Sequence, residues 1–178
     1  MKPLRVLLSA GLLTSGLAVM SGVLGASVAD AAGNRSCSLP HLTVKVGTAQ
    51  GAAGTIFYPI VFTNTGTTCV LSGVPRVQPV LGGVVRSNRS VGPAARNLSM
   101  GQMPVRHVIA QGHSVSVAFG VTETGNYSAR TCRAKNAGAV VVSLAPFVSP
   151  TYVALKISVC TKIASTTTRL LTPGISGA

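Results

Sequence analysis

The stretch His113-Ser114-Val115-Ser116-Val117-Ala118-Phe119-Gly120-Val121 decides the fold class. Val115, Val117, Phe119 and Val121 alternate with Ser114, Ser116, Ala118 and Gly120, so one side of an extended chain is apolar and the other small. That period of two marks a strand with one face on a core. The alternation recurs elsewhere. Leu42, Val44 and Val46 interleave with His41, Thr43 and Lys45; Val140, Val142 and Leu144 make a short face; Val153, Leu155, Ile157 and Val159 make a longer one. Residues 56–62 are apolar on both faces, which predicts a well-covered strand. Pro59 within it has no N–H for a ladder and demands a bulge or an edge there.

Turn-forming clusters separate these segments: Asn64-Thr65-Gly66, Gly82-Gly83, Gln111-Gly112, Thr124-Gly125-Asn126 and Asn136-Ala137-Gly138. Short strands at this spacing predict an all-β antiparallel sandwich of about seven to nine strands. Residues 87–104 lack a strand pattern and read as a long loop. Residues 173–178 read as a flexible tail. Cys160 falls on the opposite strand face from Val153, Leu155, Ile157 and Val159. Either the strand bulges near its end, or a bridge lies on the outer face.

The chain opens with Lys2 and Arg5, an apolar run from Val6 to about Val28, and Ala29-Asp30-Ala31-Ala32. Charged start, apolar run and small-x-small site describe a cleavable secretory signal over 1–31. Gly and Ser dilute the run relative to a spanning helix. The first cysteine, Cys37, lies too far beyond it for lipid attachment. A single domain over 32–172 is expected, secreted to the exterior or held at the cell envelope.

The segment 1–31 takes Lys2, Arg5 and Asp30 with it. The remainder keeps thirteen basic side chains against one acid, Glu123, a formal charge of +12. Arginine outnumbers lysine nine to four. Such a chain attracts polyanions by field alone, and arginine suits bidentate contact with phosphate and carboxylate. Arg76, Arg86, Arg89, Arg96 and Arg106 follow one another with no acid between them. They are the candidate anion-binding set.

All four cysteines lie after the signal. An even number in an exported chain reads as two disulfides, and no pair has the close spacing of a zinc site. Three connectivities are open. The sequential one is favoured, each bridge closing a loop of about 30 residues, worth about 3–4 kcal/mol in the chain-entropy model.

Enzyme chemistry finds little material. One carboxylate side chain excludes paired-carboxylate hydrolysis. A serine hydrolase would have to use Ser114, or another serine, with Glu123. Gly112-His113-Ser114-Val115-Ser116 approaches a nucleophile elbow but has Ser116 where the second glycine belongs, and it reads as a turn entering a strand. His41, His107 and His113 lack the carboxylate support of a metal site, although His107 and His113 flank a hairpin turn and could face each other. No phosphate-cradling loop is present. Three Tyr and four Phe, scattered, make no base-stacking platform, so sequence-specific nucleic-acid binding is not expected. Neither cofactor nor metal is expected.

From Gly54 to Pro75 the chain carries Asn64-Thr65-Gly66, Cys69, Leu71, Gly73 and Pro75. Cys37 precedes them; Gly112, Cys132 and Cys160 follow. This order resembles an actinobacterial exported family known as domain of unknown function 4232, over about residues 37–160. The resemblance implies an immunoglobulin-like sandwich and the pairings Cys37–Cys69 and Cys132–Cys160. It lends no catalytic residues. The expectation is a non-enzymatic, basic, exported module that binds anionic envelope polymers or lipid headgroups. The alternative is a sandwich that takes a protein partner at a sheet edge.

Overall fold

The computed structural model describes residues 35–144 and 148–177; the expected signal lies outside them. The alternating stretch is β9 (Ser114–Thr122). It pairs antiparallel with β3 (Thr55–Asn64) from Thr55↔Thr122 to Thr63↔Ser114. Val115, Val117, Phe119 and Val121 are all buried, with Ile60 and Phe62 beside them.

Around this pair stand β1 (Leu42–Val46), β2 (Gln50–Ala52), β7 (Arg96–Asn97), β12 (Thr166–Thr168) and β13 (Thr172–Pro173), in the order β1-β3-β9-β12-β7. Within this sheet β2 also pairs with β3, and β13 with β9. A second sheet has the order β11-β10-β5-β6, from β5 (Arg76–Gly82), β6 (Ser87–Ser90), β10 (Ala134–Leu144) and β11 (Val148–Cys160). The short strands β4 (Cys69–Leu71) and β8 (His107–Ile109) pair with each other, and α1 (Ala129–Cys132) precedes β10. Val77, Val140 and Val142 of the second sheet join Ile60, Phe62, Val117 and Phe119 of the first in one buried cluster. The result is the expected all-β, sandwich-like fold with two disulfides, Cys37–Cys69 and Cys132–Cys160.

Pro59 sits where its missing N–H does no harm. β1 stops pairing at Val46↔Ile60 and β2 starts at Gln50↔Phe57. The Pro59 carbonyl accepts from Gly47 N in this gap (2.8 Å), so the proline's nitrogen faces the interruption in the ladder.

Several expectations need correction. Among the described residues there are thirteen strands, of which seven have four or more residues; the others are too short to display a period. Residues 87–104 are not all loop, since they contain β6 and β7, and the link between these follows β5 through Val91 N→Pro79 O (2.9 Å) and Ala95 N→Val77 O (2.8 Å). Residues 173–177 lie along β9 rather than free of the domain: Gly174 N donates to Ser114 O (3.0 Å), and Gly177 N to Ser116 Oγ (2.8 Å). The small outer face of β9 makes room for them, and they bury Ser116 completely. As for Cys160, the irregularity in β11 lies opposite Gly138, not at the strand's end. Cys160 keeps the parity opposite Val159, and its bridge to Cys132 is buried, although apart from the core cluster that holds Cys37 and Cys69.

Candidate anion-binding edge and cleft

All five candidate arginines are exposed, and they do not share one flat face. Arg86 closes the β5–β6 turn, with Arg86 N bonded to Gly83 O (3.0 Å) and its guanidinium over the Tyr152 ring (5.8 Å to the centroid). Arg89 lies in β6, the edge strand of the second sheet, and Arg96 in β7, the edge strand of the first. These three therefore succeed one another down a single edge of the sandwich. Arg76 opens β5, opposite Ser143 of β10. Arg106 immediately precedes β8.

A further arginine, which sequence reasoning did not single out, lies on the outer face of the first sheet. Arg96 pairs with Thr167, which pairs with Gly120, which pairs with Phe57. Arg169, two residues beyond Thr167, falls on the same outer face and lies over the Phe57 ring (6.0 Å). Its guanidinium thus lies toward β3 and β9, inward from the β7 edge that carries Arg96. Exposed apolar side chains accompany the arginines. Val84 and Val85 stand fully out at the β5–β6 turn, and Met100 and Met103 do so between β7 and β8.

At the end of the sandwich where β9 begins lies a cleft of about 620 Å3, with Arg106, His107, Val108, His113, Pro173 and Ile175 in its wall. Asn64 builds it. This fully buried side chain donates from Nδ2 to Thr67 O (2.8 Å) and Ile109 O (2.9 Å) and accepts from Gly66 N (2.9 Å). Its backbone bonds His113 O (3.0 Å) and Gly112 N (2.7 Å). The Asn-Thr-Gly turn thus caps β3 as its chemistry suggests, and it also positions the β8–β9 turn. Behind it, Cys37–Cys69 ties the N-terminal arm to β4, whose register sets Cys69 opposite Ile109 and Leu71 opposite His107. His107 Nε2 lies 2.9 Å from Leu171 O. A carbonyl only accepts, so Nε2 carries the proton and donates.

The serine-hydrolase arrangement does not assemble from Ser114 and Glu123. Ser114 Oγ is engaged with Thr63 Oγ1 (2.8 Å) at one end of β9, and Glu123 follows the other end. Nine residues at about 3.3 Å each put them about 30 Å apart. Glu123 lines a separate small pocket with Ile56, Tyr58 and Ser158, in which there is no histidine.

Fold and surface together describe a disulfide-stapled, basic, β-sandwich-like module whose polar features are an arginine edge and a histidine-bearing cleft. The family described as domain of unknown function (DUF4232) matches residues 37–171, and the chain belongs to that family. No curated protein and no solved structure matches the chain. The family match stops one residue short of β13, which leads into the segment that closes the cleft. Among the described residues, no helix is long and apolar enough to cross a membrane.

Proposed function

We propose that this protein is an exported, non-catalytic module that docks on phosphate-bearing anionic surfaces of the cell envelope, polymer or lipid, through its arginine edge. The observation that carries the reading is the succession of Arg86, Arg89 and Arg96 down one exposed edge, in a stretch from Arg76 to Arg106 that contains no acid. Among the described residues the one acidic side chain is Glu123, outside this stretch, so these charges are available to an external anion. Val84 and Val85 beside Arg86 favour a lipid surface, where apolar tips enter the headgroup layer while arginines hold phosphates. Two disulfides suit an oxidising compartment.

The test is a titration of the chain lacking residues 1–31 against anionic vesicles, neutral vesicles and polyphosphate. Binding on the order of micromolar at low salt, falling steeply toward physiological salt, is expected. No binding to any anionic surface at low salt removes the reading.

A second reading has its own observation. β11 spans Val148–Cys160 at the edge of its sheet, long enough to accept a partner strand. It also carries Pro150, Lys156 and the irregularity opposite Gly138, devices that blunt edges. Capture of a protein partner that ignores salt would favour this reading.

A further inference from the structure

The cleft at the start of β9 differs from the arginine edge in being concave, and its wall combines two chemistries. Arg106, His107 and His113 line it, and among the described residues no acidic side chain does. The acid nearest in sequence, Glu123, lies about 30 Å away along β9 at roughly 3.3 Å per residue. Val108 and Ile175 line the same cleft and are 49% and 67% exposed, apolar surface that nothing in the described chain covers. Its volume of about 620 Å3 falls within the range of small-molecule sites, roughly 300–1,000 Å3.

The wall is also held in place. The His107 ring is anchored through Nε2 to the Leu171 carbonyl, which leaves Nδ1 for a second partner. His113 rides on the turn that Asn64 secures by backbone and side-chain bonds. Pro173 and Ile175 are held by the bonds of residues 174 and 177 to β9. Three nitrogen-bearing side chains with no acidic side chain among the described residues of the wall, on fixed supports and next to bare apolar surface, are suited to a ligand with an anionic head and an apolar body.

We propose that this cleft binds a small amphipathic anion, with a phosphate or carboxylate head at Arg106, His107 and His113 and a short alkyl body against Val108 and Ile175. The proposal deepens the anionic reading and shares only Arg106 with it. Such a head could come from a free amphiphile or from a lipid at a bilayer surface, and the experiment separates the two.

Octyl phosphate, kept below its micelle-forming concentration, is titrated into the chain lacking residues 1–31 and followed by calorimetry and by the ring resonances of His107 and His113. Inorganic phosphate, octyl glucoside and anionic vesicles are run in parallel. Octyl phosphate should bind at least tenfold more tightly than inorganic phosphate and shift both ring resonances, and octyl glucoside should do neither. Arg106→Ser and Val108→Ser, both at exposed positions, should each weaken octyl phosphate about tenfold. Arg86→Ser, Arg89→Ser and Arg96→Ser together should leave it within about twofold while weakening vesicle binding. If octyl phosphate binds no better than inorganic phosphate, or Val108→Ser has no effect, the amphipathic site is overturned. Loss of octyl phosphate binding in the triple arginine variant overturns it too, since the anion would then be held by the edge. Octyl phosphate binding without vesicle binding supports the cleft and removes the lipid form of the edge reading.

Discussion

The arginine edge and the cleft are both basic, yet they are built differently. The edge consists of short strands and a turn whose cations point into solvent, so it offers charge without shape. The cleft has fewer cations, but its side chains are fastened by Asn64, Leu171 and the segment after Thr172. Each region also has its own staple. Cys37–Cys69 stands behind the cleft, inside the core cluster, through β4 and β8. Cys132–Cys160 stands behind the edge, outside that cluster: Gly92, in the link between β6 and β7, lies so close to the Cys160 carbonyl that a Cβ there would overlap it. Field attraction tolerates a loosely shaped surface, whereas selection among anions needs a held one.

The largest expected effects come from the two staples. Replacing Cys37 and Cys69 by Ser should remove about 3–4 kcal/mol of loop constraint and add the penalty of hydroxyls in the core. Melting should fall by about 10 °C or more, at about 2–4 °C per kcal/mol for a chain of this size. The Cys132→Ser, Cys160→Ser pair closes a loop of similar length, 28 against 32 residues, and is as deeply buried, each cysteine 1% exposed, so its loss should be of similar size. A large loss in one pair and none in the other, read by thermal melts of both double variants, would show that loop length and burial do not set what each staple contributes.

Next comes Asn64→Ala. It strands the Thr67 and Ile109 carbonyls and the Gly66 N–H, and should lower stability by about 3 kcal/mol in urea titrations. His113 should broaden or shift in NMR spectra while Arg86 and Arg89 stay in place. A change confined to the edge would contradict the role given to Asn64.

Much of this framework is readable in the residues, and the limits have physical causes. β1, β3, β9 and β11 announce themselves because each lays several branched or aromatic side chains on one side; β10 does so only in its second half, and Asn136-Ala137-Gly138, which reads as a turn, lies inside it. β6 does not: Ser87-Asn88-Arg89-Ser90 is an edge strand with no apolar face, so a period of two leaves no mark. β4, β7, β8, β12 and β13 have two or three residues and owe their existence to partners distant in sequence. The course of residues 173–177 did leave a trace. The outer face of β9 carries Ser116, Ala118 and Gly120, with no large or charged group, and such a face in mid-sheet signals that something lies across it. The five arginines are readable as a series, but their order down an edge depends on strand pairing. The cleft was half visible, in the two histidines flanking Gln111-Gly112.

Gly92→Ala gives a smaller effect that tests the support of the edge. Gly92 has φ +72° and a Cβ there meets the backbone of Cys160 and Thr161. Stability should fall by about 2–3 kcal/mol. At Gly83, φ +90° with open space around it, the same change should remove only about 1 kcal/mol. Denaturant midpoints of the two variants decide, and similar losses at both would mean that the contact with Cys160 does not bear on the edge.

The smallest effect on stability, and the most direct test of function, comes from changing Arg86, Arg89 and Arg96 together to Ser. All three are exposed, and the fold should lose no more than about 1 kcal/mol. The measurement is the affinity for linear polyphosphate across a series of salt concentrations, for this variant and the unchanged chain. Each arginine that meets a phosphate adds about one unit to the slope of log affinity against log salt. The account predicts that the triple variant binds more weakly and that its slope flattens by about two to three units. Unchanged affinity and parallel slopes would contradict it, because the arginine edge would then not be where the anion is held.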